Sequence, residues 1–156
     1  MASTSSSVYT KLVSSLLFPL HEQLKKHDSV ARRRELERSQ WLRPDELRLL
    51  QLQRLNAMLA RTRLHVPYYR DRLPALPLQS LAELATLPLL TKALIRANVE
   101  AMKSEQAGPL ARYNTGGSSG EPLIFYIGKD RVSHDVASKW RATRWWGVDI
   151  GDPEMV

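Results

Sequence analysis

The residue types best suited to chemistry stand together at Thr115-Gly116-Gly117-Ser118-Ser119-Gly120, three glycines and three hydroxyls in six positions. Glycine admits positive φ and lets a backbone approach a ligand closely, while successive N–H groups and hydroxyls converge on an anion. Such a loop is suited to holding phosphate. Spacing excludes two other kinds of phosphate loop. A Walker-A loop needs Gly, four residues, then Gly-Lys-Ser/Thr opening a helix, whereas Gly120 is followed by Glu121 and Pro122. A Gly-x-Gly-x-x-Gly fingerprint fails because the glycines fall at 116, 117 and 120. Leu123 to Ile127 is β-branched and aromatic and reads as a strand. The loop is therefore expected as a hairpin-like flap between strands at 110–114 and 123–127. Metal chemistry on protein ligands is not expected: the chain has no cysteine, and its histidines at 21, 27, 65 and 134 lack the spacing of a ligand set.

Thr115 to Pro122 closely resembles the phosphate-binding signature of the adenylate-forming (acyl-CoA synthetase) superfamily. Further pieces resemble its phenylacetate-CoA ligase and capsular polysaccharide biosynthesis (CapK-like) branch: His65-Val66-Pro67-Tyr68-Tyr69-Arg70, Leu87-Pro88-Leu89-Leu90-Thr91-Lys92 and Gly147-Val148-Asp149-Ile150-Gly151-Asp152. The resemblance implies ATP-dependent activation of a small carboxylic acid. The carboxylate attacks the α-phosphate of ATP, pyrophosphate leaves, and the acyl-adenylate passes its acyl group to an acceptor, with coenzyme A expected. It further implies that Thr115, Gly116, Gly117, Ser118, Ser119 and Gly120 bind the ATP phosphates, with Mg²⁺ sharing the charge. Many members carry lysines beside the proline of this loop. Glu121 and Leu123 stand there in this chain, so no catalytic role passes to a loop lysine and catalytic residues stay unassigned. Enzymes of this kind are much longer, so the chain is expected to be the N-terminal part of one, truncated near Val156 and inactive on its own. ATP use implies a cytoplasmic location.

The expected fold class is α/β: an N-terminal helical section leading into the first strands and helix of an adenylation domain. Three segments are expected, an amphipathic one at 1–30, a helical section at 31–105, and the start of the α/β domain at 106–156. From Asp45 to Arg63, leucines 49, 52, 55 and 59 with Met58 form a helical stripe behind Pro44. Pro67 ends that helix and biases Val66 to extended geometry. Tyr68 and Tyr69 read as a packing anchor beneath its end. Ser80 and Thr91 are expected caps of short helices at 81–87 and 92–98. Asp130 is the expected cap of a helix at 131–146 ended by Gly147, with Val132, Val136 and Trp140 against the sheet.

Charge is concentrated. Residues 30–72 hold eleven Lys/Arg against five Asp/Glu, hence 11 − 5 = +6 of the total +7. A basic block of this kind suits nucleic acid or an anionic membrane, or else a solvated helix face, which is the expectation; nucleic acid is not the expected partner. Trp and Arg interleaved over 140–146 suit base stacking or packing tryptophans with solvated arginines, and packing is expected. Val8, Leu12, Leu16 and Leu20 recur at i, i+4 before and after a helix-distorting Pro19. Two readings of that segment stay open: peripheral attachment to a membrane with Lys11, Lys25 and Lys26 as its cationic side, or a helix packed on its own domain. The rival to the enzyme as a whole is a non-enzymatic basic module that binds RNA or an anionic membrane surface.

Overall fold

Local signals at single residues set most element boundaries in the computed structural model, which describes residues 7–116 and 122–153. Helix α1 (Val8–Leu12) opens on Ser7, whose hydroxyl accepts the Thr10 N–H at 3.0 Å. It runs through a π turn (Val13–Leu17) into α2 (Phe18–Leu24). Pro19 has no N–H to donate to Ser15 and crowds its carbonyl, and the π turn directly before it absorbs that conflict; the helix is distorted, not ended. Helix α3 (Ser29–Ser39) follows a turn at Lys26, whose φ is 57°.

Helix α4 (Pro44–His65) has Pro44 in its first turn, and Glu46 reaches back to the Arg43 N–H at 2.9 Å. Val66 is extended at φ −116°, and Pro67–Tyr69 forms a 3₁₀ turn. Tyr68 is buried, lies edge-on to Tyr69 at 4.9 Å, and carries the Arg72 guanidinium over its ring at 4.4 Å. The anchor expected at this helix end is present. The inward stripe of α4 differs from the expected one: Leu59 is buried and Leu52 and Leu55 are half-buried, but Leu49 and Met58 are exposed. Half-buried Asn56 clasps the backbone of buried Leu78 in both directions, Nδ2 to its carbonyl at 2.9 Å and Oδ1 from its N–H at 2.8 Å.

Leu81–Thr86 is a 3₁₀ helix whose Ser80 hydroxyl bonds Glu83 at 3.1 Å instead of capping the backbone. Thr91 caps α5 (Lys92–Ala97) as expected, accepting from Leu94 N–H at 3.2 Å. Strands β1 (Ala111–Asn114) and β2 (Ile124–Ile127) pair antiparallel, with Tyr113 opposite Phe125 and Asn114 opposite Ile124. Helix α6 (Lys129–Arg144) begins before Asp130, which stands in its first turn near the positive dipole end and is not its cap. Gly147 has φ 74°, its N–H reaching Arg144 O at 3.1 Å while Val148 N–H reaches Thr143 O at 3.2 Å. That is the Schellman pattern expected of a C′ glycine.

The fold is a mixture of helices with one two-stranded sheet, compatible with the coarse α/β class. It divides into two compact units, residues 42–128 and a unit built from 1–41 with 129–156. In the second unit α6 packs on α3, and of the expected packing face Val132, Val136 and Trp140 only Trp140 is buried, joined by Ser133 and Ala137, while Val132 is exposed. Its centre is Trp140, edge-on to Phe18 at 5.1 Å and beneath the Arg33 guanidinium at 4.3 Å. A ring of ion pairs closes around it: Arg33 to Glu37 at 2.8 Å, Glu37 to Arg144 at 2.9 Å, Arg144 to Asp149, and Asp149 from the Trp140 indole N–H at 2.6 Å. Packing of tryptophan therefore holds for Trp140, whereas Trp145 and Trp146 are exposed. Among the described residues no helix is long and apolar enough to cross a membrane.

Candidate functional site

The hairpin exists because β2 is a run of residues suited to a pleated, half-buried surface. Ile124, Phe125, Tyr126 and Ile127 are all half-buried, while β1 is exposed throughout. Tyr113 and Phe125 stack across the pair at 6.1 Å with their planes 22° apart, a contact that fixes the register. On the other face Tyr126 is covered by Lys103, whose Nζ lies 4.0 Å from the ring centroid. Lys103 also bonds Glu100 at 2.8 Å, and that bond holds its pKa above the ordinary lysine value.

Thr115 closes the neck of the loop. Its N–H donates to Leu123 O at 3.0 Å, and its hydroxyl oxygen accepts the Leu123 N–H at 3.0 Å. A threonine hydroxyl has one proton and two lone pairs, so accepting from Leu123 does not use its capacity to donate. Gly116 follows with open space around it: a Cβ built there meets nothing within 4 Å. Its φ lies outside the left-handed region, so the fold of the neck itself makes no demand for glycine at 116. Gly117, Ser118, Ser119 and Gly120, the other expected phosphate ligands, lie outside the described residues. The flap between two strands is thus observed at its base, with Thr115 and Gly116 at its entrance.

Between Ala107 and Gly128 the described residues carry one charged side chain, the exposed Arg112. By the two-residue period of a strand, Arg112, Asn114 and Gly116 share one face, and Tyr113 and Thr115 the other. The described donors at the entrance are therefore hydroxyl, amide and one guanidinium, a set that suits an anion. No group of three His, Cys, Asp or Glu among the described residues is placed to hold a metal ion. A magnesium ion keeps waters and binds through few carboxylates plus substrate phosphates, and this donor set fits such an ion only when phosphates supply its ligands.

A cavity of about 370 Å³ lies beneath β2, lined mainly by Leu90, Ile95, Val99, Met102, Leu110 and Phe125. It is apolar and borders the strand that carries the far side of the loop. Its lining comes from several separated stretches of chain, and no local pattern announces it. Several arginines of the basic block at 30–72 stand in ion pairs: Arg32 with Asp28 at 2.7 Å, Arg48 with Asp45 at 3.0 Å, Arg43 with Glu46 at 3.2 Å, and Arg70 with Glu105. His134, the one histidine on α6, contacts Ser138 at 3.4 Å on an exposed face. No family model, no curated protein and no solved structure matches the chain.

Proposed function

We propose that this chain is the phosphate-holding part of an ATP-dependent carboxylate-activating enzyme. The observation that carries the reading is the sequence Thr115 to Pro122 set between the strands of an antiparallel hairpin, with the Thr115 hydroxyl at its neck accepting the Leu123 N–H. In the proposed reaction a carboxylate oxygen attacks the α-phosphorus of ATP, the bond to the bridging oxygen breaks, and pyrophosphate leaves with that electron pair. The acyl-adenylate then transfers its acyl group to an acceptor, coenzyme A in this reading.

Little of this chemistry needs a proton-transferring side chain from the loop. Phosphoryl chemistry is governed by positioning and by stabilising charge. Thr115, Ser118 and Ser119 donate their hydroxyl protons to phosphate oxygens, and the backbone amides of Gly116, Gly117 and Gly120 supply further donors. Mg²⁺ bound to the phosphates would supply the positive charge that Glu121 and Leu123 do not. The small acid and the nucleotide are the ligands of this reading.

The test is calorimetric titration of MgATP into the full chain and into Gly117→Val and Ser118→Ala/Ser119→Ala forms. Each variant should weaken MgATP binding by about tenfold, the scale of one or two charge-assisted hydrogen bonds. Equal affinity in all three proteins, or binding unaltered by the loop variants, contradicts the proposal.

A further inference from the structure

The first helix is turned against its own amphipathy. The residues that α1, the π turn and α2 bury are polar: Thr10, Ser14 and Glu22. Thr10 Oγ1 donates to Asp152 Oδ1 at 2.7 Å, and the Glu22 carboxylate, 3% exposed, accepts from Ser29 Oγ at 2.6 Å and contacts His27 Nδ1 at 3.2 Å. Val13 meets Gly151 on the same inward side. Six other aliphatic residues face the other way. Val8, Leu12, Leu16, Leu17, Leu20 and Leu24 are between 48% and 86% exposed.

The π turn is what makes these six one surface. Apolar residues at i, i+4 drift by about 40° per step in an α-helix of 3.6 residues per turn, so the four steps from Val8 to Leu24 would wind about 160° around it. The π turn accommodates one extra residue and takes back about 100°, leaving the five residues of that series within about 60°, with Leu17 at their edge. Tyr9, 65% exposed, flanks the stripe near its start. From Ser7 to His27 the charged residues are Lys11, Lys25, Lys26 and Glu22, and Glu22 is the buried one. The exposed charge of this segment is therefore wholly positive.

We infer that this face docks on an anionic lipid surface, with the leucines in the acyl boundary and Lys11, Lys25 and Lys26 at the headgroups. The occupant follows from chemistry. Protein interfaces fix their register with hydrogen bonds and aromatic or arginine anchors, and the ridge of this stripe is aliphatic throughout with no polar group to specify a register. A bilayer demands none, and lysine stems reach past apolar surface to anionic headgroups. The inference stands independently of the nucleotide reading.

The experiment is co-sedimentation of the full chain with vesicles of phosphatidylcholine alone and of phosphatidylcholine mixed with phosphatidylserine. Each lysine near an anionic surface favours it about fivefold, so binding to the mixed vesicles should exceed binding to the neutral ones by at least about tenfold and weaken with added salt. Leu16→Ser/Leu20→Ser, at exposed positions, should retain the wild-type circular dichroism and melting temperature and lose at least about tenfold in partitioning. Lys25→Glu/Lys26→Glu should abolish the preference for phosphatidylserine. Equal binding to both vesicle types, unchanged partitioning of the leucine variant, or a stable dimer that the leucine variant disperses and that ignores vesicles each overturns the inference.

Discussion

Replacement of Trp140 by alanine should remove the centre of the unit built from 1–41 with 129–156. The indole is 3% exposed, and burying an aromatic side chain of this size removes about 150–250 Å² from water, worth roughly 4–6 kcal/mol at about 25 cal/mol per Å². Alanine recovers part of that, and Trp→Ala changes in cores cost about 3–5 kcal/mol. Arg33 adds to the loss because its guanidinium sits 4.3 Å over the ring, a contact worth about 0.5–2 kcal/mol. The indole N–H bond to Asp149 contributes less than a buried charge-assisted bond usually does. Asp149 keeps Arg144 and the Ile150 N–H at 2.8 Å when the indole is removed, so no orphaned carboxylate remains. Trp140→Ala should therefore cost about 4–5 kcal/mol, and Trp140→Phe about 1–2 kcal/mol. Urea unfolding followed by far-ultraviolet circular dichroism reads both as midpoint shifts at unchanged slope. A loss below about 1.5 kcal/mol for alanine, or equal losses for alanine and phenylalanine, would refute the reasoning.

Gly151 has φ 99°, and a Cβ there would stand 2.8 Å from Val13 Cβ and 3.3 Å from the Thr10 backbone; Gly151→Ala should lose about 2–4 kcal/mol in urea unfolding, whereas Gly116→Ala, in open space, should leave the midpoint unchanged. Asn56→Ala leaves both backbone groups of buried Leu78 unpaired and should cost about 2 kcal/mol or more in the same assay. The Asp149 N–H, and after it the Thr10 hydroxyl, hold the Asp152 carboxyl below the ordinary aspartate range. Because the folded pKa is the lower one, this stabilisation is present at neutral pH and is lost as pH falls below about 4; Asp152→Asn should flatten that part of the melting temperature against pH, and an unchanged acid limb would count against the assignment.

Boundaries were legible at Pro67, Thr91 and Gly147, where one residue dictates local backbone geometry, and less so at Ser80 and Asp130, neither of which caps its helix. Pro67 restricts Val66, Thr91 supplies a cap, Gly147 takes positive φ, and each acts within a turn of its own position. The β-branched run after Pro122 likewise marked β2 and so the hairpin. What was not legible depends on partners distant in sequence. Periodicity placed Val132 with Trp140 on the packed side of α6, yet that helix buries Ser133, Ala137 and Trp140 and leaves Val132 exposed, because the packed side is set by α3, a partner distant in sequence. In the first helix it marked a leucine stripe whose inward orientation is ordinarily assumed, yet Asp152 and Ser29 recruit the opposite, polar side. Asn56 gave no sign of its clasp on Leu78, because an amide bonding backbone 22 residues away leaves no local pattern. At the candidate site, residue types indicated phosphate, and the strand–loop–strand frame followed from the same sequence. The apolar cavity beneath β2 did not, since its walls are assembled from separate segments.

The central claim is tested most directly by mapping backbone amide shifts of the full chain during titration with MgATP. The account predicts saturable shifts concentrated between Tyr113 and Leu123 and reproduced in part by pyrophosphate. Shifts confined to Arg32–Arg34 or to α6, or none at millimolar nucleotide, would contradict it.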